Sequence, residues 1–180
     1  IVETCQSASK PPIVGISSTF YLGYRDIHRI CESLHKIDPQ MTIVIGGAFV
    51  NDIIINGNVS DYEKPMRKYG INYILHAFNS EANILHLLQT LRKKGDLSKV
   101  KNLVYFENND PKNGIYRSTK TVWMKPVLND SPVNWNKLNL PFVNRTIQTR
   151  TVSGCPFSCA FCSYPTTSKG WHLMELDRFE

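Results

Sequence analysis

The chain has 180 residues, of which 42% are hydrophobic and 20% charged, the composition of a globular protein with room for one core and the start of a second. No stretch approaches the ~20 apolar residues that cross a bilayer, and no secretory signal opens the chain, so we expect a cytoplasmic protein with no membrane partner. The net charge of +6 comes from dispersed Lys and Arg, which argues against a nucleic-acid partner.

Short apolar runs predict strands in the first hundred residues. The runs are PPIVGISS (11–18), MTIVIGG (41–47) and INYILHA (71–77). Each is a continuous apolar run bounded by turn residues, which is typical of a strand buried on both faces.

Helical patterns lie between and after these runs. Apolar residues at helical spacing predict a helix from Tyr24 that Pro39 stops, and YEKPMRKYG predicts a two-turn helix that Pro65 limits and Gly70 closes. Ser80 is expected to cap a third helix, which ends before Gly95. Its apolar face is predicted to carry Ile84, Leu87, Leu88 and Leu91. Strands alternating with helices predict an α/β fold with a doubly wound parallel sheet.

Two strand-to-helix loops are candidate ligand sites. One carries Ser17, Ser18 and Thr19, and the other carries Gly46 and Gly47. Ligands of open α/β sheets bind beyond the carboxyl ends of the strands, where both loops are expected to lie. The hydroxyls can also cap helices and the glycines can make tight turns, so the pattern alone leaves both interpretations open.

A polar stretch separates this region from the end of the chain. Residues 107–144 are rich in Asn, Asp and Pro and predict a connecting segment between two domains, 1–106 and 145–180. The chain begins at Ile1 and stops at Glu180 inside WHLMELDRFE, where Trp171, Met174 and Leu176 predict the start of an amphipathic helix. We therefore expect a fragment of a longer protein.

Three of the five cysteines, Cys155, Cys159 and Cys162, lie within eight residues, directly after a predicted strand, Arg145–Val152. Their spacing allows one face of a helix with buried thiols, although Gly154, Pro156 and Ser158 favour a loop. It also allows a zinc site, with Cys159 and Cys162 as a ligand pair that His172 or Cys155 could complete.

An iron–sulfur cluster is the third possibility. With three thiolates on a four-iron cluster, one iron stays open for a substrate or cofactor.

The motif Cys155-x-x-x-Cys159-x-x-Cys162, with Phe161 before the last cysteine, resembles that of the radical S-adenosylmethionine enzymes. The resemblance implies that the three cysteines bind a [4Fe–4S] cluster and that S-adenosylmethionine chelates the open iron and is cleaved to a 5′-deoxyadenosyl radical, with Phe161 against the adenine. It also implies a (β/α) barrel, of which only the first strand, the cluster loop and the opening of the first helix fall within 145–180. The expected partners are a small-molecule or peptide substrate and an electron donor such as flavodoxin or ferredoxin.

The upstream domain is similar to that of the cobalamin-binding subclass of this family, since VGISSTF and IVIGG precede the cysteine motif. The resemblance implies that Ser17–Thr19 and Gly46–Gly47 contact the nucleotide tail of cobalamin and that the enzyme is a methyltransferase acting on an unactivated carbon or phosphorus centre. RTVSGCPFSCAFCSYP is loosely similar to the phosphinate P-methyltransferase branch.

The chain also departs from the family pattern. An Asp-x-His-x-x-Gly motif is absent, and an acidic GEGE-like stretch is replaced by FNSEAN, which keeps only Glu81. These departures keep two alternatives open: a radical S-adenosylmethionine enzyme without cobalamin, and a non-catalytic zinc-binding or interaction module. His28, His35, His76, His86, Cys5 and Cys31 are expected to have structural or incidental roles.

Overall fold

A computed structural model of the chain describes residues 11–20, 23–77, 79–126, 128–129, 150–162, 164, 168, 170–175 and 177. The chain divides into two compact units, Ile1–Met124 and Lys125–Glu180. None of the described helices combines the length and apolar character needed to cross a bilayer.

The first unit is built on a five-stranded sheet. Its strands, in spatial as well as chain order, are β1 (Ile13–Ser17), β2 (Thr42–Gly46), β3 (Tyr73–Leu75), β4 (Leu103–Phe106) and β5 (Tyr116–Ser118). β1, β2 and β3 are parallel, whereas β4 is antiparallel to β3 and β5 is antiparallel to β4. The α/β prediction is confirmed, but the sheet is mixed rather than wholly parallel.

The change of direction arises in the connection from β3 to β4. Leu75 at the end of β3 pairs with Leu103 at the start of β4, so this connection leaves and rejoins the sheet at the same edge. A loop through Gly95 and a 3₁₀ turn at Leu97–Lys99 lie between the preceding helix and β4. The connection is therefore not a parallel crossover.

Four helices cover the two faces of this sheet. They are α1 (Tyr24–Ile37), α2 (Ala48–Asn56), α3 (Val59–Tyr69) and α4 (Glu81–Arg92). On one face, side chains of α1, α2 and α3 pack with alternate strand residues such as Ile43, Ile45 and Ile74. On the other face, Leu87 of α4 packs with Val44 and other strand residues. The core thus lies on both sides of the central strands.

The helices differ from the predicted ones in three respects. α2 was not expected, because its run Ile53–Ile55 has no helical periodicity. α3 has 11 residues and contains Pro65 inside it, since buried Tyr62 and Met66 hold the helix against the core despite the missing N–H. In α4 the buried positions are Asn83, Leu87 and Thr90. Leu88, expected on the apolar face, is exposed.

Two further features of the first unit differ from expectation: the burial of β1 and the start of the connecting segment. β1 lies at the end of the described sheet, and Ile13 is 43% exposed, so β1 is not buried on both faces as predicted. β5 lies within 107–144, so the predicted connecting segment begins inside the first unit. The residues from 130 to 144 lie outside the described part of the chain.

The second unit contains an antiparallel pair, β6 (Val152–Gly154) and β7 (Trp171–Leu173). The predicted strand before the cysteines therefore reaches Gly154, while its residues 145–149 lie outside the described chain. Trp171 pairs with Gly154, and Met174 N donates to Thr151 O at 2.8 Å. The prediction that a helix starts at Trp171 is wrong, because Trp171–Leu173 form a strand paired with β6. Leu176 lies outside the described residues. The start of a barrel remains a prediction.

Candidate functional sites

The two predicted loops of the first unit meet at the carboxyl ends of β1 and β2, which form the carboxyl edge of the sheet. Ser17 at the end of β1 pairs with Gly46 at the end of β2, as parallel neighbours with the same polarity. The next residue, Ser18, donates from its backbone N to Gly46 O at 2.6 Å. The sequence prediction that these loops lie together at the carboxyl ends of the strands is confirmed.

Ser18 is a bridging residue between the loops rather than an exposed ligand group. It is fully buried at 0% exposure, and its Oγ donates to Gly46 O at 2.7 Å. The same Oγ accepts from Val50 N of α2 at 3.3 Å, which satisfies one of the free amides of the first helical turn. The Ser18 hydroxyl therefore ties β1, β2 and α2 together.

Gly47 is required by the geometry of this junction. Its φ is +105°, and a Cβ at this position would lie 2.8 Å from Ser18 N and 2.8 Å from Thr19 N. A side chain would therefore be strained and would overlap the neighbouring loop. The close approach of the two loops depends on the missing side chain.

The groups left open at this edge come from Ser17 and Thr19. Ser17 Oγ and Thr19 Oγ1 lie 3.1 Å apart in an exposed position, so either hydroxyl can also bond a ligand. Phe20 follows with 92% of its surface exposed. Tyr24 and Phe49, at the starts of α1 and α2, make an edge-to-face contact with ring centroids 5.1 Å apart.

His76, for which the sequence predicts a structural role, lies next to this edge. His76 directly follows Leu75, and Leu75 pairs with Gly46. His76 is 2% exposed, and neither ring nitrogen has a hydrogen-bond partner in the described chain. Burial lowers the pKa of its imidazole to about 4, so the ring is neutral near pH 7. The sequence offered only one signal for it, a histidine at the end of an apolar run.

A groove of about 550 Å³ lies at the opposite edge of the sheet. Met41 and Asn72, which immediately precede β2 and β3, line it together with His28, His35 and Tyr69. The predicted ligand loops at the carboxyl ends do not contribute to it. Cys31, on α1, is buried in the core, and burial raises the pKa of its thiol to about 11, which keeps it unreactive.

The three cysteines of the second unit follow directly from the β6–β7 pair. Gly154 has φ of +94°, and a Cβ there would overlap the carbonyl oxygen of Gly170, the residue before its ladder partner Trp171. Gly154 N also donates to Tyr164 Oη at 3.3 Å. Cys155 therefore leaves the strand pair at a backbone position that requires glycine.

The loop from Cys155 to Cys162 is not helical, so the alternative that places the cysteines on one helical face is wrong. Cys162 N donates to Cys159 O at 3.0 Å, which closes a turn between the last two cysteines. All three thiols are free; Cys159 and Cys162 are exposed and Cys155 is partly exposed. Phe161 lies in the same turn and is 93% exposed.

The structure does not gather these thiols into a formed metal site. Among the described residues, no three His, Cys, Asp or Glu side chains lie together closely enough to hold a metal ion. His172 is in β7, opposite Ser153, and does not complete a zinc site in this arrangement. The donor set itself, three free thiols in one loop, fits an iron–sulfur cluster, which prefers soft thiolate ligands.

No family model and no curated protein sequence matches the chain. Similar solved structures are those of the radical S-adenosylmethionine methyltransferase TsrM from Kitasatospora setae. One, with tryptophan substrate and a S-adenosylmethionine analogue bound, aligns with a TM-score of 0.56 at 15% identity, over 98% of this chain and 34% of TsrM. Another, with cobalamin and a [4Fe–4S] cluster bound, aligns with a TM-score of 0.54 at 15% identity, over 98% of this chain and 35% of TsrM.

The chain shares the fold of this part of TsrM. It spans about a third of the length of that enzyme. At this level of identity the likeness concerns the backbone and does not by itself transfer a ligand or a reaction. The candidate chemical groups of this chain are those of the cysteine loop and of the carboxyl edge of the first unit.

Proposed function

We propose that this chain belongs to a radical S-adenosylmethionine enzyme that uses cobalamin and transfers a methyl group to an unactivated carbon or phosphorus centre. The observation that carries the proposal is the loop of free thiols in the Cys-x-x-x-Cys-x-x-Cys pattern, which leaves a strand at Gly154. The fold likeness to TsrM, a radical S-adenosylmethionine methyltransferase whose structure holds cobalamin and a [4Fe–4S] cluster, supports it.

In this proposal Cys155, Cys159 and Cys162 hold the cluster. When bound, the cluster supplies the electron that cleaves S-adenosylmethionine, and an external donor of the flavodoxin or ferredoxin type replaces it. The backbone bond from Cys162 N to Cys159 O closes a turn that keeps two of the three cysteines within one short segment. The exposed ring of Phe161 is free to stack on the adenine of the sulfonium substrate.

The carboxyl edge of β1 and β2 is the proposed cobalamin-binding surface. Ser17 and Thr19 offer exposed hydroxyls, and Gly46 and Gly47 let the neighbouring backbones approach closely, so that the two loops form one surface. Ser18 positions both loops through its bonds to Gly46 O and Val50 N. Cobalamin, when bound, supplies the methyl group.

Anaerobic reconstitution of the full-length protein tests the cluster. We expect about four irons and four sulfides per chain, a broad brown absorption, and cleavage of S-adenosylmethionine once dithionite is added. A colourless protein that binds zinc instead would favour the interaction module. A protein that takes up the cluster and leaves S-adenosylmethionine intact would contradict the proposed reaction.

Hydroxocobalamin binding tests the second cofactor independently. The same protein should retain hydroxocobalamin through gel filtration, and the double variant Ser17→Ala/Thr19→Ala should retain less, since it lacks the two exposed hydroxyls. A cluster-bearing protein that retains no cobalamin would instead be a radical S-adenosylmethionine enzyme of the cobalamin-free kind.

A further inference from the structure

The loop between β3 and α4 buries an imidazole without a partner for either nitrogen. His76 donates from its backbone N to Asn102 O at 3.0 Å, so the main chain at this position is held in place. The ring is 2% exposed, yet neither Nδ1 nor Nε2 has a hydrogen-bond partner among the described residues. Buried polar groups are almost always bonded, so a ring with two open nitrogens calls for an explanation.

Two asparagines near the start of α4 share this property. Asn79 is 2% exposed and leaves Oδ1 without a partner, although its Nδ2 donates to Met124 O at 3.0 Å. Asn83 is 4% exposed and leaves Nδ2 without a partner. Ser80, at the N-cap position, makes no side-chain bond to the helix amides, because its hydroxyl donates to Ala77 O. Two buried asparagines, each with one open polar atom, therefore lie at the beginning of α4.

His76 adjoins the proposed cobalamin-binding surface. Leu75 pairs with Gly46, and a Cβ on Gly46 would lie 3.3 Å from Leu75 O, so the ends of β2 and β3 approach closely. His76 follows Leu75 as Gly47 follows Gly46. A ligand at the ends of β1 and β2 therefore also lies at the strand end from which the His76 loop starts.

The open atoms define the chemical class of their ligand. A neutral imidazole presents one donor and one acceptor, Asn79 Oδ1 accepts, and Asn83 Nδ2 donates. None of these atoms carries a full charge, since the depressed pKa keeps His76 unprotonated near pH 7. An anionic group would lose its hydration here without a positive charge in return, whereas a carboxamide or hydroxyl can satisfy donors and acceptors together.

We propose that His76, together with Asn79 and Asn83, binds an uncharged carboxamide or hydroxyl group of the ligand at this edge. The inference rests on the proposed function, in which that ligand is cobalamin, a molecule that carries several carboxamides. His76 is then a ligand-binding residue, in contrast to the structural role expected from the sequence. A buried water bonded to the same atoms is the competing account.

Titration of the full-length protein with hydroxocobalamin, followed by absorbance, separates these accounts. His76→Phe keeps a ring of similar size and removes both nitrogens, and we expect its Kd to rise about tenfold, the effect of one lost neutral hydrogen bond. The matched control is His86→Phe, which changes an exposed histidine of α4 and should leave the Kd unchanged.

The outcomes distinguish this inference from the proposed function. If wild type and His76→Phe bind hydroxocobalamin with the same Kd, the ring holds at most a water, and the inference is overturned while cobalamin binding stands. If wild type binds no hydroxocobalamin, the proposed cobalamin function fails and the inference fails with it.

A second measurement covers the case in which His76→Phe does not fold. In wild-type protein, the ¹⁵N resonances of the His76 imidazole should move when hydroxocobalamin is added in excess, because a new partner changes both ring nitrogens. Resonances that stay in place at saturation would refute the contact directly.

Discussion

The carboxyl edge of the first unit and the cysteine loop of the second are held in different ways. At the edge, Ser18 and the backbone of Gly46 already make their hydrogen bonds without a ligand, and Gly47 fits against both. In the loop, the hydrogen bonds lie at its base near Gly154 and in one turn, and the thiols do not form a metal-binding group within the described part of the chain. The edge is therefore preorganised, whereas the loop needs its ligand to bring its side chains together.

This contrast predicts different consequences of mutation. Substitutions at the edge should lower the free energy of unfolding, because they break contacts that exist in the free protein. Substitutions among the thiols should remove the cofactor and leave the stability of the free protein nearly unchanged, because exposed side chains contribute little to it.

The largest effect is expected from Cys159→Ser. Iron after anaerobic reconstitution should fall from about four per chain to near background, because the exposed thiol is replaced by a hard oxygen donor. Urea unfolding of the apoprotein should be unchanged. The matched control, Cys31→Ala, removes a buried thiol from α1 and should keep the iron while losing roughly 1–2 kcal/mol of stability. Full iron content in Cys159→Ser would contradict the cluster assignment.

Gly154→Ala tests whether the base of the loop positions the thiols. Its Cβ would overlap Gly170 O and would impose a side chain at φ +94°, so the β6–β7 pairing should be distorted. We expect iron incorporation to fall several-fold although every thiol is present. Ser158→Ala, an exposed change inside the loop, should incorporate iron like wild type. Equal incorporation in all three proteins would show that the base of the loop is irrelevant to cluster assembly.

Gly47→Ala should produce the largest stability loss at the edge. A side chain at φ +105° with backbone nitrogens 2.8 Å from its Cβ should cost roughly 3 kcal/mol, measured as the free energy of unfolding in urea. Gly15→Ala in β1 is the control, since a Cβ there meets nothing within 4 Å. If both variants lose the same free energy, the edge is not preorganised by the missing side chain.

The burial of His76 predicts a pH-dependent loss of stability that is similar in size to the effect of Gly47→Ala. Its pKa is depressed from 6.5 to about 4 by burial, so below pH 6.5 the unfolded chain takes up a proton that the folded chain refuses. Stability should therefore be unaffected above pH 7 and should fall by about 3 kcal/mol as the pH drops towards 4.

Urea unfolding from pH 7.5 to 4.5 measures this dependence. Carboxylates also titrate in the lower part of the range, so His76→Gln, which stays neutral throughout, is the reference. The loss of stability should be steeper in wild type than in His76→Gln. Parallel curves would mean that His76 titrates normally and that its ring is not buried as described.

Much of the fold follows from local signals, but the sheet topology does not. The apolar runs predicted all three parallel strands, and Pro39 and Gly70 marked the ends of two helices correctly. The antiparallel β4 depends on where the long β3–β4 connection returns, and no residue near Leu103 encodes that locally. Pro65 misled the prediction because burial of Tyr62 and Met66 outweighs one lost backbone bond.

The candidate sites could likewise be predicted from the sequence only in part. The spacing of the cysteines and the glycine pair are chemical signals that sequence alone displays, and the meeting of the two loops followed from strand polarity. The roles within the edge did not follow, because Ser17, Ser18 and Thr19 look alike in sequence and only Ser18 turns its hydroxyl inward. The open nitrogens of His76 could not be read from sequence, since hydrogen-bond satisfaction is a property of the packed chain.

The smallest expected effect separates these neighbouring hydroxyls. Ser18→Ala leaves Val50 N buried without its partner and should cost roughly 1–2 kcal/mol in urea unfolding. Ser17→Ala removes only an exposed contact to Thr19 and should cost less than about 0.5 kcal/mol. A reversed order would mean that the edge is held by its outer hydroxyls. The expected order leaves Ser17 and Thr19 available to a ligand, because their bonds are not needed to hold the loops together.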